Sequence, residues 1–219
     1  MAQVITFIGW HNSGKTTLLT RVVKELKARG WRIAVLKSSS HSGIEFDRPD
    51  TDTFRLKEAG ADSVALVAPD QLVLMEGGTR MSLKALAHRF FPDAHLVIGE
   101  GFKDTVGVDK IEVVKQEEMP SLYREAGNVV AVVSEKDAPG TRVFRPGEVK
   151  ELTSFIEKRY ILKDMDKPAA SLLVNGTPIP LKFFVQQAIA GAVAGLVDSL
   201  KGTRNAETIE ILVKVPKDR

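Results

Sequence analysis

The apolar positions of this chain follow two periods, which predict alternating strands and helices. Residues 4–8 form a short run of β-branched and aromatic side chains, typical of a buried strand. Residues 15–29 then place apolar side chains three and four positions apart, as in a helix that buries one face, and Gly30 ends that helix. Further strands are predicted over residues 32–36, 63–68, 71–75, 95–98, 110–114, 129–133 and 141–145, and further helices over 51–59, 82–90 and 148–160.

Strands separated by helices favour an α/β fold with a mostly parallel sheet flanked by helices. We place a domain boundary near the charged, proline-ended segment 162–168, so that residues 1–163 form the main domain. Residues 168–219 are predicted to form a small α+β extension of ββαβ-like order, with a strand at 171–174, a hairpin turn at Asn175-Gly176, a helix over about 182–200 and a last strand over 208–215. In such a sheet, ligands bind beyond the carboxyl ends of the strands.

The composition excludes several classes of protein. The chain has 219 residues, of which 43% are hydrophobic, enough for a substantial core. Its formal net charge is only +3 and it has no dense cluster of lysine and arginine, so nucleic acid is not an expected partner. Without cysteine it has neither disulfides nor thiolate metal sites, which favours the cytoplasm, and we expect no signal peptide before the first strand.

The most apolar stretch, residues 183–197, does not predict a membrane protein. It contains Gln186 and Gln187 and is too short to cross a bilayer comfortably. We therefore expect it to form a buried helix.

One segment fits the pattern G-x-x-x-x-G-K-[ST] at every fixed position and lies between the first strand and the first helix: Gly9-Trp10-His11-Asn12-Ser13-Gly14-Lys15-Thr16-Thr17. In such a phosphate-binding loop the glycines allow tight turns, and the inward amide N–H groups form an anion nest at the positive end of the helix. Lys15 can reach the terminal phosphates, and the Thr16 hydroxyl can ligate Mg²⁺. The alternative, a glycine-rich turn with a surface lysine, is disfavoured by the flanking strand and helix. The fold class predicted is therefore P-loop NTPase-like.

Lys37 and His41 follow the second predicted strand, at the edge where a ligand is expected. Lys37 can meet a phosphate or a pterin oxygen, although a solvated surface lysine is equally compatible with the sequence. A metal-ligating role for His41 is disfavoured, because no cluster of His, Cys and Asp at ligand spacing accompanies it. We expect it to form hydrogen bonds instead.

An acidic run comprises Glu45, Asp47, Asp50 and Asp52. Carboxylates packed together repel one another unless a cation offsets the repulsion, and Asp47 or Asp52 could serve Mg²⁺. The alternative is capping of the helix that follows, by Asp50 or Thr51, with Asp52 stabilising the helix dipole. Capping explains Asp47 poorly, because Asp47 precedes Pro49.

Glu100 directly follows the apolar strand at residues 95–98 and Gly99. A carboxylate there has, in outline, the Walker B position, from which it could hold Mg²⁺ through water or orient an attacking water. Lys103 and Lys110 lie nearby in the sequence, either to screen anionic groups or as ordinary surface lysines.

Together these motifs resemble the MobB-type family of molybdopterin-guanine dinucleotide biosynthesis proteins. The resemblance covers roughly residues 3 to 160 and rests on Gly9 to Thr17, Leu36-Lys37 with His41, Asp47 to Phe54, Lys57 to Ala61, Leu96 to Lys103 and Lys110 to Val113. It implies a GTP-binding protein with weak Mg²⁺-dependent GTPase activity, usually a homodimer. Such proteins assist the MobA-type nucleotidyltransferase, which attaches GMP to molybdopterin in its molybdenum form.

The same resemblance implies roles for individual residues. Gly14, Lys15 and Thr16 would bind phosphate and Mg²⁺. The side chains that would face the nucleotide or the pterin are Lys37, His41, Asp47, Asp52 and Glu100.

Guanine selectivity follows from the resemblance alone, since the base-reading motif N-K-x-D is missing. A candidate replacement is the segment 134–137, after the apolar strand at residues 129–133. Glu135 or Asp137 could accept hydrogen bonds from the guanine N1–H and 2-amino group, but a solvated loop explains the segment equally well.

Two other functions remain open at this stage. A P-loop small-molecule kinase or ligase would use the same phosphate loop. A non-catalytic binding module would hold the nucleotide as a structural ligand and dock a partner on its apolar C-terminal helix.

Overall fold

The computed structural model describes residues 3–78, 81–115, 121–164, 170–203 and 206–215. The strands are β1 (Gln3–Ile8), β2 (Ile33–Lys37), β3 (Ser63–Val67), β4 (Leu72–Glu76), β5 (Leu96–Glu100), β6 (Asp109–Val113), β7 (Val129–Val133), β8 (Val143–Phe144), β9 (Leu172–Val174) and β10 (Thr177–Ile179). The helices are α1 (Lys15–Ala28), α2 (Asp52–Glu58), α3 (Leu83–Phe90), α4 (Val149–Ile156), which continues as a π-helical turn over Glu157–Ile161, and α5 (Phe183–Asp198). Single 3-10 turns occupy Leu122–Arg124 and Leu162–Asp164.

Six strands form one sheet in the order β2-β5-β1-β6-β7-β8, and every neighbouring pair in it is parallel. β1 lies near the centre, where Ile5 and Phe7 are fully buried. Parallel strands covered on both faces are apolar throughout, which is the pattern of the short runs in the sequence. The predicted α/β class and the mostly parallel sheet are confirmed.

Helices α1 and α4 pack against each other and cover one face of this sheet. The main core lies between them and the strands, and it includes Leu18, Leu19, Val22, Leu26, Leu152 and Ile156. A smaller cluster on Ala87 of α3 and Val97 of β5 covers another part of the sheet. Because all six strands run the same way, their carboxyl ends lie at one edge of the sheet. The last residues of β1, β2, β5, β6 and β7 at this edge are Ile8, Lys37, Glu100, Val113 and Val133.

The predicted pair of strands around Pro69-Asp70 is confirmed as the antiparallel hairpin β3–β4. Its turn is closed by a hydrogen bond from Ala68 N to Gln71 O at 2.9 Å. Val64 is buried, but Val67 and Leu72 are 78% and 68% exposed. The hairpin therefore presents much of its apolar surface to solvent.

The C-terminal residues match the prediction only in part. The hairpin β9–β10 and helix α5 are present, and Asn175 and Gly176 both have positive φ angles, as a tight hairpin turn requires. The expectation of a buried helix is wrong, because no residue of α5 is buried. The predicted domain boundary falls largely on residues 165–169, outside the described part of the chain.

The predicted last strand is also wrong, since residues 206–215 have no strand structure. Its alternating pattern favours an extended chain, but a strand forms only where a neighbour supplies hydrogen bonds. The side chains of Leu212 and Val213 are 87% and 72% exposed. Within the described residues, no helix is both long and apolar enough to span a membrane.

Candidate functional site

The loop between β1 and α1 has the backbone shape that its glycines predict. Gly9 has a φ of +146°, and a Cβ there would overlap Val113 O of the neighbouring strand and lie 2.8 Å from Ser13 Oγ. Gly14 occupies the N-cap of α1 and offers no side chain to the first-turn N–H groups. Since these N–H groups have no helical acceptor, the start of α1 is suited to bind an anion.

Lys15 folds back over this loop. Its Nζ donates to Gly9 O at 3.0 Å, to Trp10 O at 2.6 Å and to Ser13 Oγ at 3.4 Å. Burial lowers the pKa of the Lys15 ammonium below its ordinary value; the Glu100 carboxylate opposes this shift and the Lys37 ammonium adds to it. The ammonium therefore lies directly against the backbone of the loop.

The remaining loop residues differ in exposure. Ser13 is buried, and its N–H donates to Trp10 O at 3.2 Å. The side chains of His11, Asn12 and Thr17 are exposed and open to a ligand.

Three side chains from three elements meet beside the loop. The Thr16 hydroxyl, in the first turn of α1, donates to Glu100 Oε1 at 2.6 Å. Lys37 Nζ, at the end of β2, donates to the same oxygen at 3.1 Å. Glu100 itself is only 8% exposed. Strand order explains the meeting, because β5 lies between β1 and β2 and pairs with both.

Ser38 fastens the end of β2 to the end of β5. Its N–H and its hydroxyl both donate to Glu100 O, at 3.0 Å and 3.3 Å. The same hydroxyl accepts from Phe102 N at 3.2 Å. Gly101 packs directly against it, with a φ of +95°. The position of the Glu100 backbone is thus fixed from the neighbouring strand.

The donors around Glu100 suit Mg²⁺. A hydroxyl and a carboxylate are hard oxygen ligands, and Mg²⁺ usually takes one or two carboxylates together with phosphate and water. The described residues contain no group of three or more His, Cys, Asp and Glu side chains at ligand spacing. Thr16 and Glu100 therefore fit a magnesium ion that shares its coordination with a nucleotide.

Asp47, a predicted metal ligand and catalytic residue, is engaged within its own loop. Its Oδ1 accepts from the Thr51 hydroxyl at 2.7 Å and from Arg48 N at 2.8 Å, and its Oδ2 accepts from the Thr53 hydroxyl at 2.6 Å. These hydrogen bonds, that from Thr53 foremost, hold the pKa of Asp47 below its ordinary value. Thr51 is the N-cap of α2 and accepts from Phe54 N. Asp47 thus braces the capping residue, a role the sequence does not reveal.

Asp52 and His41 are exposed. Asp52 lies 3.8 Å from Arg55, one turn along α2. The N–H of His41 donates to Ser39 Oγ at 3.0 Å. The polar contacts described for His41 and Asp52 are thus with Ser39 and Arg55, not with Glu100.

The loop after β7 is held by Arg145. Arg145 pairs with Asp137 at 2.5 Å and donates to Ser134 O at 3.1 Å. Ser134 is buried, whereas Glu135 is exposed. Of the two carboxylates proposed to contact guanine, only Asp137 has a defined partner among the described residues.

Lys110 is a buried lysine, not a surface lysine. It is 2% exposed, and its Nζ donates to Thr105 O at 2.8 Å and Gly127 O at 3.0 Å. Burial lowers its pKa, although Asp104 and Asp109 oppose the shift. Lys110 therefore ties two loops to β6. The sequence signal that could have indicated this role is the lysine's place within a short strand, directly before Ile111.

A sequence model of the MobB family, described as molybdopterin guanine dinucleotide synthesis protein B, matches residues 4–135. The molybdopterin-guanine dinucleotide biosynthesis adapter protein of Haemophilus influenzae is 34% identical over 152 residues, which cover 68% of this chain and 84% of that protein. A protein of Methanocaldococcus jannaschii, named for the same adapter role, is 26% identical over 237 aligned positions and covers 98% of this chain and 99% of its own length. The archaeal alignment therefore includes the C-terminal extension.

Solved structures share the fold. A crystal structure of molybdopterin-guanine biosynthesis protein B matches with a TM-score of 0.58 and 32% identity, over 71% of this chain and 97% of that one. The crystal structure of Bacillus subtilis MobB matches with a TM-score of 0.56 and 20% identity, over 71% of this chain and 96% of that one, and supports the fold alone.

Proposed function

Because this chain belongs to the MobB family of molybdopterin guanine dinucleotide synthesis proteins, we propose that it is a GTP-binding adapter in the synthesis of that cofactor. The observation that carries the proposal is the contact of the Thr16 hydroxyl with Glu100 at 2.6 Å, directly beside the phosphate loop. A hydroxyl in the first turn of α1 and a carboxylate on β5, the strand beside β1 in the sheet, are the protein ligands that a magnesium–nucleotide complex needs.

In this proposal, the loop and Lys15 bind the phosphates. The first-turn N–H groups of α1 and the positive end of its dipole face the anion. Lys15 Nζ exchanges its contacts with Gly9 O and Trp10 O for the phosphate oxygens, which are stronger acceptors because they carry charge. His11, Asn12, Ser13, Gly14 and Thr17 complete the site.

Thr16 and Glu100 would hold Mg²⁺, which neutralises charge on the phosphates when bound. If Glu100 Oε1 held the metal, it would no longer accept from Lys37, and the Lys37 ammonium would be available to the terminal phosphate. Asp47 already accepts three hydrogen bonds from its own loop, which leave its carboxylate about one further acceptor site. Its role in metal binding and hydrolysis stays a prediction.

We expect GTP hydrolysis to be weak. Glu100 is the carboxylate placed to orient an attacking water, but the same carboxylate would also hold Mg²⁺ and so would not be free to act as a general base.

As an adapter, the protein would work with a MobA-type nucleotidyltransferase and with molybdopterin. The adapter names of the relatives support a partner in this pathway. Exposed apolar residues on the hairpin β3–β4 are consistent with the proposed homodimer, because large exposed apolar patches mark interaction surfaces. That His41 and Asp52 face the nucleotide or pterin stays a prediction. A cytoplasmic location stays a prediction.

Calorimetric titration of the full chain with GTP, with and without Mg²⁺, tests the proposal. We expect Mg²⁺-dependent binding that Lys15→Ala abolishes. Lys24→Ala is the matched control, since Lys24 is an exposed lysine on the same helix and should leave the affinity unchanged. Absence of nucleotide binding by the wild type, or binding that survives Lys15→Ala, would contradict the proposal.

Turnover assays on the same proteins separate the other functions. Slow release of phosphate that Lys15→Ala removes fits the adapter. Phosphoryl transfer to a pterin or another small acceptor would instead identify a kinase or ligase, and tight GTP binding without any turnover would identify a non-catalytic module.

A further inference from the structure

The Thr16–Glu100 pair fixes the direction in which a bound nucleotide runs along the sheet edge. β5, which ends in Glu100, lies on one side of β1, and β6 lies on the other. The groups suited to Mg²⁺ and the terminal phosphate, namely Thr16, Glu100 and Lys37, all lie on the β5 side. A triphosphate held there directs its nucleoside away from β5, towards β6 and β7.

The segment at the end of β7 lies where the base would arrive. β7 is two strands from β1, so its end is about 10 Å from the phosphate loop along the sheet edge. Residues 134–138 form a well-anchored turn. Ser134 N donates to Phe144 O at 3.0 Å, Lys136 N donates to Ser134 Oγ at 3.1 Å, and Ala138 is buried.

Asp137 stands on this turn with its carboxylate both oriented and accessible. Arg145 holds Oδ1 at 2.5 Å and also donates to Ser134 O at 3.1 Å. The main-chain N–H of Arg145 donates to Glu148 Oε2 at 2.7 Å, which connects the arrangement to the start of α4. The Asp137 side chain is nevertheless 86% exposed. An ion pair this exposed adds little to stability, so what it supplies is orientation.

Resting on the proposed function, we propose that Asp137 is the residue that selects guanine, and that Arg145 positions it. Guanine presents two neighbouring donors, N1–H and the 2-amino group, which match the two oxygens of a carboxylate. Arg145 takes one lone pair of Oδ1 and leaves the others free, since a carboxylate offers about four acceptor sites. Adenine presents an acceptor at N1 and no 2-amino group, so its edge repels the same carboxylate.

Glu135 does not fill this role. Its side chain is exposed and makes no contact with another described residue, so nothing holds its carboxylate in one direction. The family match ends at residue 135, and therefore Asp137 and Arg145 lie beyond it.

Binding of GTP, ATP and xanthosine triphosphate to the full chain and to Asp137→Asn tests the inference. Xanthine carries a carbonyl where guanine has its 2-amino group, so the Asn amide N–H₂ matches it. We expect Asp137→Asn to weaken the affinity for GTP about 10- to 100-fold and to leave the affinity for ATP within about twofold. The affinity for xanthosine triphosphate should rise about 10-fold or more.

Two controls make the result specific. Asp93→Asn is the same chemical change on an exposed loop at the opposite edge of the sheet and should alter none of the affinities. Glu135→Gln should also leave GTP preference intact, and a loss of preference there with none in Asp137→Asn would overturn the inference. Circular dichroism confirms that each variant is folded.

A failure of this inference can be distinguished from a failure of the proposed function. If the wild type binds GTP and ATP equally, or if Asp137→Asn keeps the wild-type preference, the inference falls while nucleotide binding stands. If the wild type binds no nucleotide, the proposed function falls and the inference with it.

Discussion

Replacing Gly101 by alanine tests whether the contact between β2 and β5 holds the candidate site together. Gly101 has a φ of +95°, and a Cβ there would overlap the Ser38 hydroxyl, with the Ser38 Cβ 3.4 Å away. That hydroxyl bonds to Glu100 O and Phe102 N. The substitution therefore strains the backbone and displaces the side chain that fixes Glu100.

The cost has two parts. An L-residue in left-handed backbone costs about 1–2 kcal/mol. Rotating the Ser38 hydroxyl away loses two hydrogen bonds of 3.2 and 3.3 Å, each worth about 1 kcal/mol or less at the exposed edge. We expect Gly101→Ala to lower the free energy of unfolding by about 1–4 kcal/mol.

Gly30→Ala separates the two parts. Gly30 has a φ of +87°, and a Cβ there would meet no atom within 4 Å, so only the backbone cost of about 1–2 kcal/mol applies. Urea denaturation of both variants gives the free energies of unfolding. The double variant Gly101→Ala with Ser38→Ala should cost less than the sum of its single changes, because the overlap with the hydroxyl is gone. Equal costs at Gly101 and Gly30, together with strict additivity, would refute the reasoning.

Two further changes test the supports of the fold. Burial alone would raise the pKa of Glu157, but hydrogen bonds from Trp31 and Arg29 lower it below its ordinary value of 4.5. The contribution of the Glu157 carboxylate to stability is therefore present at neutral pH and is lost as the pH falls through the lowered pKa. Glu157→Gln should destabilise the protein by about 1–3 kcal/mol at pH 7. In thermal denaturation, the difference in stability from wild type should shrink below about pH 4.5. A difference that does not depend on pH would contradict this prediction. Lys110→Met should lower the free energy of unfolding by about 2–4 kcal/mol in urea, because it leaves buried loop carbonyls without a donor; an unchanged unfolding midpoint would show that water replaces the ammonium.

The sequence predicts the elements with strong local signals. β1 and α1 follow from the change of period around the phosphate loop, and the β3–β4 hairpin follows from Pro69-Asp70. The order of strands in the sheet has no local signal, because parallel neighbours lie far apart in the chain. Residues 208–215 show the limit of pattern alone, since alternation indicates an extended chain but not a partner for it.

The candidate site could be anticipated residue by residue but not as an arrangement. Thr16 and Glu100 carry motif signals, and Lys37 follows a strand that ends at the same edge. Thr16 and Lys37 can both donate to one oxygen of Glu100 only because β5 lies between β1 and β2. Ser38 acts through contacts with Glu100 and Phe102, which are distant in sequence, and the sequence pattern does not indicate them.

The central position of β1 also affects how the protein is made. Its hydrogen-bonding partners, on β5 and β6, lie roughly 100 residues further along the chain, and ribosomes add about 5–20 residues per second. The first strand therefore waits about 5–20 s for a native neighbour. During that interval its apolar side chains depend on chaperones or on α1 for protection, and early translation is the stage at which this chain is most exposed to misassembly.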